Sequence, residues 1–125
     1  MSRQLEKAKS YWGRSTWELF HAMAEKINED FYAKNNHMIL NMVKQICKNL
    51  PCPDCARDAT IFMNSVHPNS VPNKKEFRAM LFVFHNRVNR KLGKPQFHHS
   101  NLLIHKKNNL GIVIQNFVTF FAKRY

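Results

Sequence analysis

The stretch from residue 73 to residue 95, NKKEFRAMLFVFHNRVNRKLGKP, carries a complete set of signals for one amphipathic helix. Asn73 is a preferred N-cap residue, and Glu76 stands three positions later as its capping-box partner. Apolar side chains follow at steps of three and four residues, the spacing of one helix face; they are Phe77, Leu81, Phe84, Val88 and Leu92. Gly93 and Pro95 end the helix.

The same periodicity predicts helices on both sides of this stretch. Residues 10–28 and 34–49 each show an apolar face, which in the second stretch includes Met42. Pro53 suits the first turn of a helix that runs to about residue 65. A last helix covers about 110–123. We therefore expect an all-α fold, a compact four-helix bundle with an additional C-terminal helix, in one domain over residues 1–125.

Composition narrows the classes of protein. Only three Gly and five Pro among 125 residues argue against an all-β fold with many turns. Twenty Lys and Arg against eight Asp and Glu give a net charge of +12, which attracts nucleic acid, anionic membranes or acidic partners without defining a site. We expect no signal peptide and no membrane span, because the start is charged and Gln115 and Asn116 interrupt the longest apolar run. We expect no specific nucleic-acid binding, because no aromatic platform is interleaved with a basic cluster.

Three cysteines are too few for a disulfide scaffold, but two of them form the motif Cys52-Pro-Asp-Cys55. At a helix N-terminus such a pair can close a small disulfide ring, and the helix end favours the reactive thiolate. The alternative is a zinc site, in which Cys47, Cys52, Cys55 and a His form a Cys₃His set. We expect Cys47 to point into the bundle as a small apolar side chain instead, with no metal bound.

Two further groups of residues are candidates for ligand binding. His85, Asn86 and Asn89 lie on the inward half of the helix that begins after Asn73, where a flat heteroaromatic ligand could satisfy them. Lys91 and Lys94 at its end could meet phosphates. The alternative to ligand binding is that His85 is a buried histidine satisfied by a neighbouring carbonyl, and that Lys91 and Lys94 form a solvated basic helix end. Trp17 and His21 are four residues apart on one helix face; their alternative is ordinary aromatic packing.

Together these segments resemble the Erv/ALR family of FAD-linked sulfhydryl oxidases, over residues 12–97. The motif of the first helix is matched by Gly13-Arg14-Ser15-Thr16-Trp17 and by Phe20-His21-Ala22-Met23-Ala24. The redox motif is matched by Leu50-Pro51-Cys52-Pro53-Asp54-Cys55, and the third block by the unbroken run from His85 to Phe97.

The resemblance implies that FAD sits within the helical bundle beside the cysteine pair. Cys55 would be nearest the flavin, and Cys52 would exchange with the incoming thiol, so that electrons pass through FAD to O₂ and give H₂O₂. The implied cofactor-binding residues are Gly13, Arg14, Trp17, His21, His85, Asn86, Val88, Asn89, Lys91 and Lys94.

The departures from the family pattern bear on partners. The chain has no shuttle cysteine pair, and His98-His99 stands where cellular members carry a structural cysteine. We therefore expect Cys52 to oxidise a separate thiol protein directly, such as a small thioredoxin-like protein. The downstream aromatic that stacks on the flavin would fall near residues 105–106, where His and Lys stand.

The resemblance also bears on assembly and origin. It implies a homodimer, and Val113, Phe117, Phe120 and Phe121 could either cover the bundle or form the interface. In its brevity the chain resembles the viral members, which suggests disulfide formation in virion proteins in the host-cell cytoplasm.

Overall fold

The computed structural model of the protein describes the backbone of residues 3–98 and 109–122, and the side chains of residues 12–98 and 109–119. Every described element is helical, which confirms the all-α prediction. The elements are α1 (Arg3–Lys26), α2 (Glu29–Lys48), α3 (Pro53–Asn64), a short 3₁₀ helix (Pro68–Ser70), α4 (Lys74–Lys91) and α5 (Leu110–Ala122). Of the helices described, none combines the length and the hydrophobicity that a membrane crossing requires.

Two helix starts differ from the predictions. Helix α1 begins at Arg3, before the first periodic apolar residue, because residues 3–9 are mostly good helix formers. Helix α2 begins at Glu29, since the Asn28 side chain accepts a hydrogen bond from the backbone N–H of Phe31 at 3.0 Å and caps the helix. A kink at Asn35 (φ −125°, ψ 21°) lies at the beginning of the predicted stretch 34–49, after the added residues 29–33.

The predicted caps of α3 and α4 are confirmed. Cys52 is the N-cap of α3, with Pro53 in the first turn. The Asn73 side chain caps α4 by accepting a hydrogen bond from the Glu76 N–H at 2.9 Å. Gly93 follows the end of α4 with φ +71°, a left-handed conformation that glycine adopts without strain.

Helices α1 to α4 share one core. Its buried members include Phe20, Leu40, Val43, Met63, Phe77 and Leu81. Met42 and Leu92, which we expected on the apolar faces, are 42% and 47% exposed because they lie at the edges of those faces. Helix α5 packs against the other side of α1, where Val113 is buried and Phe117 contacts the cluster of Leu19 and Ala22. The part of α5 before residue 120 therefore covers the bundle, while the side chains of Phe120 and Phe121 lie outside the described residues.

Candidate functional site

The cysteine pair lies at the first turn of α3. The Cys52 Sγ accepts a hydrogen bond from the backbone N–H of Cys55 at 3.3 Å and another from the Cys55 thiol, with the two sulfurs 2.6 Å apart. Both side chains are half-buried. The pair is thus close enough to be oxidised to a disulfide, and it lies at the positive end of the helix dipole.

Cys47 lies apart from this chemistry, as predicted. Its side chain is 1% exposed in the shared core, and burial raises the pKa of its thiol to about 12. A nucleophile must be a thiolate, so at neutral pH Cys47 is not suited to that role. Over the described parts of the chain, no three His, Cys, Asp or Glu side chains converge as metal ligands would, which weighs against the Cys₃His alternative.

Four rings from three segments form what we call the ring stack: Trp17 and His21 of α1, His85 of α4, and Phe97 beyond α4. Trp17 and His85 are nearly parallel, 6° apart, with ring centroids separated by 4.0 Å. Phe97 lies nearly parallel to His21 at 4.7 Å and 24° from His85 at 4.4 Å. The stacking of Trp17 on His21 expected from their spacing is present, at 5.9 Å and 25°.

The two imidazoles of the ring stack are hydrogen-bonded to each other. The distance from His21 Nε2 to His85 Nδ1 is 2.9 Å, and one nitrogen must donate while the other accepts. His21 is only 1% exposed, whereas His85 is half-buried. One hydrogen-bond partner of His85 is therefore another imidazole.

Asn86 and Asn89 hold the segment after α4. The Asn86 amide uses both of its groups on one residue, since its Oδ1 accepts from the Phe97 N–H at 2.6 Å and its Nδ2 donates to the Phe97 carbonyl at 3.1 Å. Asn89 Nδ2 donates to the Pro95 carbonyl at 3.2 Å, and its own carbonyl accepts from the Lys94 N–H. These contacts position the Phe97 ring, a site residue that we did not single out although it ends the third sequence block.

Side-chain contacts join the cysteine helix to the ring stack. Phe62 of α3 stacks on Phe84 of α4 at 4.7 Å, and Phe84 meets Trp17 edge-on at 5.0 Å. Lys91 of α4 forms an ion pair with Asp58 of α3, one turn after Cys55. The hydrogen bond from Lys91 is the main cause that lowers the pKa of the Asp58 carboxyl.

The remaining predicted cofactor residues are scattered around this centre. Arg14 and Lys94 are exposed, and Val88 is half-buried against the shared core. Gly13 lies within α1, with open space where a Cβ would be. The downstream positions 105–106 lie outside the described residues.

The ring stack suits a flat heteroaromatic ligand. Trp17, His85 and Phe97 are half-buried and nearly parallel, so they offer flat apolar and polarizable surface at the edge of the bundle. With their centroids 4.0 Å apart, Trp17 and His85 leave no room for a further ring between them, so a flat ligand has to stack on an outer face or part the two rings. Lys91 and Lys94 are exposed at the end of α4, where a phosphate could reach them.

Comparisons with known proteins identify relatives of the chain. The model of the Erv1 / Alr family matches residues 14–109. The chain is 33% identical over 87 residues to the mitochondrial FAD-linked sulfhydryl oxidase erv1 of Schizosaccharomyces pombe, covering 68% of this chain and 47% of that relative. An FAD-linked sulfhydryl oxidase of African swine fever virus is 26% identical over 84 residues, covering 67% of this chain and 70% of the relative.

A putative FAD-linked sulfhydryl oxidase of Invertebrate iridescent virus 3 is 28% identical over 86 residues, covering 68% of this chain and 58% of that relative. The chain spans about half the length of the yeast relative that it matches. No solved structure matches it significantly.

Proposed function

The chain belongs to the Erv1/Alr family, and from this premise we propose that it is an FAD-dependent thiol oxidase that forms disulfide bonds in protein substrates. The observation that carries the proposal is the Cys52–Cys55 pair, with sulfurs 2.6 Å apart at the N-terminus of α3. The helix that bears this pair contacts the ring stack through Phe62 and Phe84.

The chemistry assigned to the pair is thiol–disulfide exchange. A substrate thiolate attacks Cys52 Sγ of the oxidised pair, the Cys52–Cys55 bond breaks, and Cys55 leaves as a thiolate. A second substrate thiolate attacks the substrate sulfur of the mixed disulfide and releases Cys52. The substrate has then lost two electrons and gained a disulfide, and the pair is reduced. Because the Cys55 N–H points at Cys52 Sγ, it stabilises negative charge that develops on that sulfur.

We assign the cofactor to the ring stack and its surroundings. The planar rings of Trp17, His21 and His85 suit the flat ring systems of FAD, and Lys91 and Lys94 suit its phosphates. The remaining cofactor residues that we propose from the family pattern are Gly13, Arg14, Asn86, Val88 and Asn89. When bound, FAD supplies a two-electron acceptor for the reduced cysteine pair and an outlet to O₂, with H₂O₂ as the product.

The proposal extends to partners. Two of the three cysteines form the redox pair and the third is buried, so a separate protein thiol, as on a small thioredoxin-like protein, would deliver electrons directly to Cys52. We further propose that the chain acts as one oxidase domain in a homodimer. We also propose a viral enzyme that acts on virion proteins in the host-cell cytoplasm; of this, the similarity to two viral proteins supports the viral origin.

Oxidation of dithiothreitol by the FAD-loaded protein tests this proposal, with thiol loss and oxygen consumption as the two measurements. Cys52→Ser and Cys55→Ser should each abolish turnover, because a single thiol cannot complete the exchange. Cys47→Ala is the matched control and should retain turnover. Full turnover by Cys52→Ser would exclude the assigned role of the pair.

A further inference from the structure

We propose that a basic surface beside the cysteine pair recruits an acidic segment of the thiol protein substrate. This basic rim consists of Arg57 of α3 and of Arg87 and Arg90 of α4. The inference rests on the proposed oxidase function and specifies which protein thiols the enzyme prefers.

The basic rim faces the cysteine helix. Arg87, Arg90 and Lys91 follow the spacing of three and four residues that places side chains on one side of a helix. Two of them reach α3: the Arg87 guanidinium lies 5.7 Å from the centre of the Phe62 ring, and Lys91 pairs with a carboxylate one turn after Cys55. This side of α4 therefore runs along the helix whose first turn holds the redox pair.

The positive charge of the basic rim is only partly neutralised. Arg57 pairs with Asp54 at 3.0 Å, and Lys91 pairs with Asp58. Among the residues whose side chains are described, no carboxylate forms an ion pair with Arg87 or Arg90. Apart from the Lys91–Asp58 pair, three cations thus face the single carboxylate of Asp54. The positive end of the α3 dipole adds to this excess, and the negative end of the α4 dipole offsets part of it.

The opposite end of α4 is more balanced. There three cations, Lys74, Lys75 and Arg78, stand against the two carboxylates of Glu25 and Glu76. Arg78 faces Glu25 at 3.7 Å, and Lys74 donates to the Glu25 backbone carbonyl. The uneven charge along α4 places the uncompensated cations at the end near the redox pair. Charges arranged in this way steer an oppositely charged partner during encounter, and they raise the association rate more than the rate of a later chemical step.

The partner that fits is a protein dithiol flanked by Asp and Glu residues. Its attraction would be long-ranged at low salt and would weaken once the Debye length falls to about 8 Å at physiological ionic strength. A small neutral dithiol carries no such charge and should be oxidised without regard to the basic rim.

The test uses the FAD-loaded protein and three peptides with the same Cys-x-x-Cys core and acidic, neutral or basic flanks. At low salt, kcat/KM for the acidic peptide should exceed that for the neutral one roughly tenfold, and the ratio should shrink as salt is added. The combined variant Arg57→Gln and Arg90→Gln should lose most of this preference. The control variant, Lys34→Gln combined with Lys75→Gln, loses the same charge at exposed positions elsewhere and should keep the preference for the acidic peptide.

Dithiothreitol serves as the internal standard. Its oxidation should be unchanged in both combined variants, because neither alters the proposed catalytic or cofactor residues. Equal kcat/KM for the three peptides, or an equal loss in both variants, would overturn the basic rim as a docking surface while the oxidase function stands. Failure of the parent protein to oxidise dithiothreitol would instead overturn the oxidase function, and this inference with it.

Discussion

Replacing Asn86 with Ala should destabilise the protein even when no FAD is added. The Asn86 side chain is 8% exposed, and its two hydrogen bonds, 2.6 Å and 3.1 Å long, both go to the backbone of Phe97. At roughly 0.5–1.5 kcal/mol for each bond, their loss should cost about 2 kcal/mol of unfolding free energy. For a domain of this size that corresponds to a fall in Tm of about 8 °C.

Urea unfolding followed by circular dichroism measures this free energy, and hydrogen exchange of the Phe97 amide reports on the local contact. Asn89→Ala is the matched control, because Asn89 makes one side-chain hydrogen bond to the same segment and should cost about 1 kcal/mol. If Asn86 served only as a cofactor ligand, the variant would unfold like the parent without FAD. Such unfolding, together with a Phe97 amide that already exchanges in the parent as fast as the amides of an exposed loop, would refute the role of Asn86 in positioning Phe97.

Three other outcomes are expected. Cys47 should resist alkylation in the folded protein while Cys52 reacts, because Cys47 is buried and its pKa is about 12; mass spectrometry after brief labelling would show the reverse if the two were misassigned. Burial raises the pKa of Tyr32 and of Cys47 from 10.0 and 9.0 to about 12, so the stability that they contribute is present below about pH 9 and is lost as pH rises towards 12. Tyr32→Phe should reduce the fall in Tm between about pH 9 and pH 12. An unchanged fall in Tm would contradict the assigned contribution of Tyr32. Gly93→Ala should lower the free energy of unfolding in urea by about 1 kcal/mol, because φ at Gly93 is +71°. Gly13→Ala should raise it by roughly 0.5–1 kcal/mol, because the added Cβ meets open space within α1. Changes of the same sign in the two variants would contradict this prediction.

Local signals predicted most of the helical architecture. The cap at Asn73 and the proline at position 53 act through neighbouring backbone groups, so their effects can be inferred without knowledge of the fold. The predicted start of α2 is wrong because Ile27 extends the apolar periodicity of α1 up to Asn28. The local signal for the true start is Asn28 as a cap, followed by the acidic Glu29 and Asp30 in the first turn. Met42 and Leu92 lie at the borders of apolar faces, where the exposure of a side chain depends on how far the neighbouring helix extends over it.

The candidate site was only partly predictable for a physical reason. Trp17 and His21 lie one turn apart, so their stacking follows from helix geometry alone. The bond between His21 and His85 joins residues 64 positions apart and requires the packing of α1 on α4. Whether Asn86 serves a ligand or the backbone depends on the path of residues 93–97, which the helix periodicity of α4 does not determine.

The most direct test of the central claim is the visible absorption spectrum of the purified protein, repeated on the supernatant after denaturation. The account predicts flavin bands that denaturation releases into solution, and bands that dithiothreitol bleaches without air in the parent but not in Cys52→Ser. A colourless protein that takes up no added FAD and carries near-stoichiometric zinc would contradict it.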